Sequence, residues 1–256
     1  MGKLIDKIKL ASQASPKPMG FGPSKSAPAK PALVLVASLS QANVEDLSDY
    51  VSGADAGLWH VSPGADIKTF DKASVSVPDL PWGWWLDGGS EKEIAKVLKL
   101  GGDFVVFPAA NTPLAILQDE KVDRILHVEP SLNEGALRTI NALPVNAVLA
   151  TSEQAGLLTW HDLIFFQRLA TLLTKPLLAT IPSNVSTSEL QSLWDAGVDG
   201  VVVEIEAGKP VGKINKLRQI INGLTYPKSR QKGKVEPLLP HIKSDIELID
   251  EDEEDE

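Results

Sequence analysis

The sequence predicts an α/β protein, a single (β/α)8 TIM-type barrel with flexible N- and C-terminal tails, and three observations carry that prediction. Short, continuously apolar runs recur through the middle of the chain, and such runs mark strands buried on both faces, as in a parallel sheet covered by helices. Amphipathic segments ending in glycine or proline separate those runs. Eight such units fit into about 190 residues, which favours a closed barrel over an open doubly wound sheet.

In chain order the predicted strands are 32–38, 56–61, 81–87, 103–108, 124–129, 145–151, 176–182 and 199–205. Helices are expected over "SEKEIAKVLKLGG", "SLNEGALRTINALP" and "TSELQSLWDAGV". Ser90, Ser131 and Thr159 stand where an N-cap hydroxyl accepts from the first free amides, each followed by acidic residues in the positive first turn. Gly101, Gly102 and Gly197 stand where helices should stop. The weakest unit is 66–78, "IKTFDKASVSVP", a poor helix former. "TWHDLIFFQRLATLL" reads as a buried helix whose His161 and Asp162 lie in its first turn and need no catalytic role.

Outside the barrel, expected over 32–225, the chain changes character. Residues 1–31 open with "MGKLIDKIKLASQ", which puts Leu4, Ile5, Ile8 and Ala11 on one helical face, and continue as a linker rich in Pro, Ser and Lys. That helix either docks on its own domain or binds a membrane surface or partner. Gly2 is not a myristoylation site, because position 6 is Asp. Residues 226–256 form an irregular basic segment followed by the acidic run "SDIELIDEDEEDE".

Composition excludes whole classes of function. The chain has no cysteine, so thiolate metal sites, iron–sulfur ligation and cysteine nucleophiles are out, and a reducing, cytoplasmic compartment suits it. No nucleotide or thiolate-bound cofactor is expected. The net charge of −9 divides into +5 over residues 1–30, −9 over 244–256 and −5 between them. No basic face for nucleic acid follows from that distribution, and no apolar run is long enough to span a membrane.

A barrel places its chemistry at the C-terminal ends of its strands. The residues there are Ser38, His60, Asp87, Glu129, Glu153, Asn184, Glu204 and Glu206. Converging carboxylates raise one another's pKa or bind a hard cation. Glu129 ends a buried strand before Pro130, and His127 shares its face, either orienting it or serving as a hydrogen-bonded core histidine. The turns "IPSNVSTS" and "EIEAGKP" put acids where a phosphate would sit, which disfavours phosphorylated substrates on that side. In "PWGWWLDGG", Trp82 and Trp84 share one strand face and Trp85 takes the other. At least one face must therefore be core, and the alternative for the other is a ring stacked against a ligand.

The runs "LKLGGDFVVFPAANTPLAIL" and "LHVEPSLNEGALRTINALPVNAVLAT" resemble the fourth and fifth units of the pyruvate-type, metal-dependent class II oxo-acid aldolases and their citrate lyase beta-chain relatives. The resemblance spans residues 81–205. It implies a metal-assisted carbon–carbon lyase, or related enolate chemistry, on a small oxo-acid, with Mg²⁺ or Mn²⁺ held by Glu129 and Glu153. It also implies that His60 or Asp87 carries the proton. The arginine that such enzymes set on the third strand to hold the substrate carboxylate has no counterpart in "PWGWWLDGG". The alternative is a degenerate, non-catalytic barrel acting as a scaffold through its charged tails, on a protein partner or a membrane surface.

Overall fold

A strand that is apolar on both faces can be buried on both only if helices cover one side and other strands' side chains fill the other, and closing the sheet removes its edges as well. The computed structural model describes residues 2–12, 33–39, 47–61, 77–152, 156–205 and 212–225. Within them eight parallel strands close into a barrel in strict sequence order. These are β1 (Val34–Leu39), β2 (Ala56–Val61), β3 (Trp82–Leu86), β4 (Phe104–Pro108), β5 (Asp123–Val128), β6 (Ala147–Thr151), β7 (Leu177–Ile181) and β8 (Gly200–Ile205). Every predicted strand is present, with ends shifted by at most two residues. The helices are α1 (Lys3–Ser12), α2 (Leu47–Val51), α3 (Glu91–Lys99), α4 (Glu134–Ile140), α5 (Trp160–Leu172), α6 (Thr187–Asp195) and α7 (Lys213–Asn222), with a 3-10 turn at Leu114–Gln118. The predicted linker at 13–31, most of the weak unit and the segment 226–256 lie outside the described residues.

Strand alternation sorts the core into two compartments. Leu33, Leu35, Trp82, Trp84, Val105 and Leu126 are among those that point outward beneath the helices. Val34, Val36, Leu58, Phe104, Val106 and Ile125 meet inside the barrel with Leu149, Leu178 and Val202. Trp82 and Trp84 are therefore helix-facing core, and Trp84 Nε1 donates to the Gly101 carbonyl at 2.7 Å. Inside, a large ring is matched to a missing side chain: a Cβ on Gly83 would stand 2.3 Å from the Phe104 ring.

Acidic and amide side chains just ahead of the strands bracket their neighbours. Asp55, before β2, donates its backbone N–H to the Leu35 carbonyl and accepts from the Leu35 N–H through its carboxylate, at 2.7 and 2.8 Å. Asn146, before β6, does the same to Arg124, and Asp199, before β8, to Leu177. Arg218 on α7 closes an ion pair with Asp55 and donates to the Gly53 carbonyl at 2.9 Å.

The corresponding residues at β4 and β5 serve a different purpose. Asp103 accepts from the Lys3 and Leu4 amides at 2.7 and 2.8 Å, and Asp123 from the Gly2 amide at 2.8 Å. Those are free N–H groups of the first turn of α1, which has no intrahelical partners there. Held this way, α1 sits across the N-terminal floor of the barrel, and Leu4, Ile5 and Ile8 are fully buried in the interior cluster. Burial of side chains this size stabilises by roughly 1.5–3 kcal/mol each. Of the two readings of this helix, docking on its own domain is the observed one, and its apolar face is taken.

The predicted cap at Ser131 is corrected. Helix α4 is capped by Asn133, whose side chain accepts from the Ala136 amide at 2.9 Å. Two residues of turn separate Ser131 from the helix, so its hydroxyl is too far upstream to meet the first amides. Ser90 and Thr159 are caps as expected; the Thr159 N–H and hydroxyl both donate to Asp162, at 2.8 and 2.7 Å. Asp162 is thus consumed in holding the start of α5. Gly101, Gly102 and Gly197 all have positive φ at helix ends.

Candidate active site

Parallel strands all end at one face, so the last inward residue of each reaches the same mouth. Ser38 on β1, His60 on β2, Trp85 on β3, His127 on β5, Thr151 on β6 and Thr180 on β7 form a continuous arc there. The Ser38 hydroxyl and His60 Nε2 are 3.0 Å apart. The His60 ring stacks on the Trp85 indole with centroids 4.8 Å apart and an interplanar angle of 10°. The His127 ring meets the same indole at 5.2 Å and 51°. His127 Nε2 lies 2.9 Å from the Thr151 hydroxyl, which is 3.4 Å from that of Thr180.

Register explains the stack: His60 pairs directly with Trp85 across β2 and β3, so both rings leave the sheet on the same side at the same height. Burial disfavours the charged imidazolium, and it holds both histidines below their ordinary pKa of 6.5. Carboxylates oppose that shift without overcoming it: Glu204 and Asp87 act on His60, and Glu129 and Asp87 on His127. Both rings are therefore predominantly neutral at pH 7, each with one nitrogen against a hydroxyl.

The residues singled out from the sequence fall as follows. Ser38, His60 and His127 lie in the arc. Asp87, Glu129 and Glu204 are exposed at the ends of β3, β5 and β8, within electrostatic reach of the histidines. Asn184 is exposed beyond β7. Glu153 and Glu206 lie outside the described residues. Among the described residues no three His, Asp or Glu side chains are grouped as metal ligands. Sequence reasoning missed Trp85 as the ring linking both histidines. It also missed Lys213, the first residue of α7, whose ammonium reaches the Ser183 hydroxyl after β7 at 3.4 Å. The parity of β3 relative to β2 was the signal for the former; nothing local marked the latter.

No protein-family model matches the chain, and no curated protein matches it in sequence. Solved structures do match. Thiamine phosphate pyrophosphorylase from Pyrococcus furiosus superposes with a TM-score of 0.57 at 15% identity, over 74% of this chain and 95% of that one. The tryptophan synthase alpha-subunit from the same organism gives 0.52 at 13%, over 75% and 97%. A KDPGal aldolase structure gives 0.57 at 14%, over 74% and 92%. The chain has the (β/α)8 barrel fold. Identities this low establish architecture alone, and the likeness does not single out the class II metal-dependent type. Among the described residues, no helix is long and apolar enough to cross a membrane.

Proposed function

We propose that the barrel mouth is an acid–base site for a small molecule, and that its reaction is enolate formation on an oxo-acid, the proton-transfer half of a carbon–carbon lyase. The supporting observation is the Ser38–His60–Trp85–His127–Thr151 arc. A neutral imidazole is competent to take a proton at neutral pH, and a pKa near or below the working pH keeps it so. Ser38 fixes the orientation of the His60 ring. The substrate α-proton passes to the imidazole, and the field of Asp87 and Glu204 stabilises the imidazolium that results. Lys213 supplies the cation for a substrate carboxylate that the third strand lacks.

Mg²⁺ at Glu129 and Glu153 is a finer form of the same proposal. The alternative, a barrel without chemistry, draws support from Trp85, whose indole is already packed against both imidazoles.

One experiment separates these readings: exchange of the methyl protons of pyruvate with solvent deuterium, followed by NMR, with and without Mg²⁺. Catalysed exchange is expected, falling by about 10²–10⁴-fold in His60→Gln, the usual contribution of a positioned acid or base. Exchange that needs Mg²⁺ and vanishes in Glu129→Gln supports the metal form. No exchange above buffer under either condition sinks the enzymatic reading.

A further inference from the structure

Two of the six exposed large apolar side chains among the described residues share one helix face. Trp160 is 80% exposed and Ile164 64%. They are four residues apart on α5 and so neighbour each other on its surface. Two grooves flank Trp160. One, of about 240 Å³, lies between α5 and α6 and includes Leu163, Ser192 and Leu193. The other, of about 520 Å³, runs toward α4 and includes Ile164, Arg168 and Leu172. The two side chains expose roughly 300 Å² of largely apolar surface, a size at which a patch is often functional. That is less than half the ~800 Å² per partner of a standard protein–protein interface, so it suits one linear segment better than a second copy of the chain.

The chain leads a suitable segment to that place. After α7 the backbone is tied to α6: the Thr225 N–H donates to Gln191 Oε1 at 3.0 Å, and Gln191 Nε2 donates to the Thr225 carbonyl at 2.9 Å. Thr225 therefore lies beside α6, about one helix width of 10–12 Å from the groove that Ser192 lines. The following 31 residues contain one apolar run not interleaved with acids, Pro237-Leu238-Leu239-Pro240-His241-Ile242. Eleven residues, 226–236, precede it and can span up to about 35 Å. Lys234 and Lys243 flank the run, and Glu189 and Glu134 flank the two grooves.

We propose that the groove at Trp160 is an intramolecular docking site for residues 237–242, with Leu238, Leu239 and Ile242 against Trp160, Leu163 and Leu193. The segment crosses α6 to reach it and carries the acidic end of the chain onto the α5–α6 side of the barrel. Prolines at both ends restrict the run before docking and lower the ordering cost.

The full chain has no cysteine, so disulfide trapping starts from a silent background. Ser192→Cys combined with Leu239→Cys should oxidise to an intramolecular disulfide well before Ser192→Cys combined with Asp252→Cys, which lies in the acidic end. Leu238→Asp with Leu239→Asp should also raise acrylamide quenching of the Trp160 emission several-fold, with Trp160→Phe identifying that emission. Equal trapping of positions 239 and 252, or quenching unchanged by the double substitution, overturns the proposal. Disulfide-linked dimers in place of a trapped monomer would also overturn it and assign the groove to a second copy.

Discussion

His60 and His127 carry a pH dependence whose sign follows from burial. Both are held below 6.5 in the folded protein, while in the unfolded chain they titrate near that value. Between the two values the unfolded state binds more protons, so stability rises with pH through that window and is lost as pH falls below about 6.5. The slope reaches at most about 1.4 kcal/mol per pH unit for each histidine. Urea unfolding at pH 7.5 and pH 5.5 should show the loss, and a His60→Gln, His127→Gln double variant should flatten it. At this scale the sequence was half legible. His60 and Glu129 could be named because strand ends converge whatever the reaction. Trp85 could not be ranked above Trp82 and Trp84, since the choice between core and mouth depends on one residue of register. Lys213 opens α7, and no local pattern ties it to Ser183 after β7.

At the scale of elements, two small features hold the barrel to its shape. Gly83 yields its side-chain volume to the Phe104 ring inside the barrel. Gly83→Ala should therefore cost about 1–3 kcal/mol through overpacking, read as a drop in urea midpoint with unchanged slope. Asp103 supplies the N-terminal acceptors of α1. Asp103→Ala should cost about 1–2 kcal/mol, the usual range for a lost cap, and should raise hydrogen exchange at Lys3 and Leu4 first. Strand positions were legible almost to the residue because both-face burial leaves an unbroken apolar run. The bracketing residues were visible too, as an Asp or Asn directly ahead of "AGLW", "AVLA" and "GVVV", but their meaning lay in bonds to the preceding strand. The amphipathic pattern of α1 showed a face needing cover without showing what covered it. Ser131 misled because its neighbours carry the cap signature two residues early.

For the whole molecule, the order β1 to β8 closed on itself is the part of the sequence reading that survives intact. Eight buried parallel strands with short helical returns have few other ways to hide two apolar faces. Function is less legible at this scale, because 536 solved chains match the structure and the architecture hosts unrelated chemistries. A molecule-wide prediction follows from the arc at the mouth. If catalysis resides there, the Leu238→Asp, Leu239→Asp variant should leave pyruvate exchange unchanged, because the grooves beside Trp160 include none of the arc residues.

The floor helix also sets a schedule. Its first amide finds its acceptor 121 residues further along the chain. During synthesis, α1 therefore waits for the fifth strand before it has anywhere to go. Contacts of such long separation form late, because loop closure must precede the contacts that reward it. In refolding followed by pulsed hydrogen exchange, Leu4 should gain protection after the β1–β2 amides. Protection of Leu4 before β5 would show that α1 nucleates the barrel, where the geometry assigns it the part of sealing it.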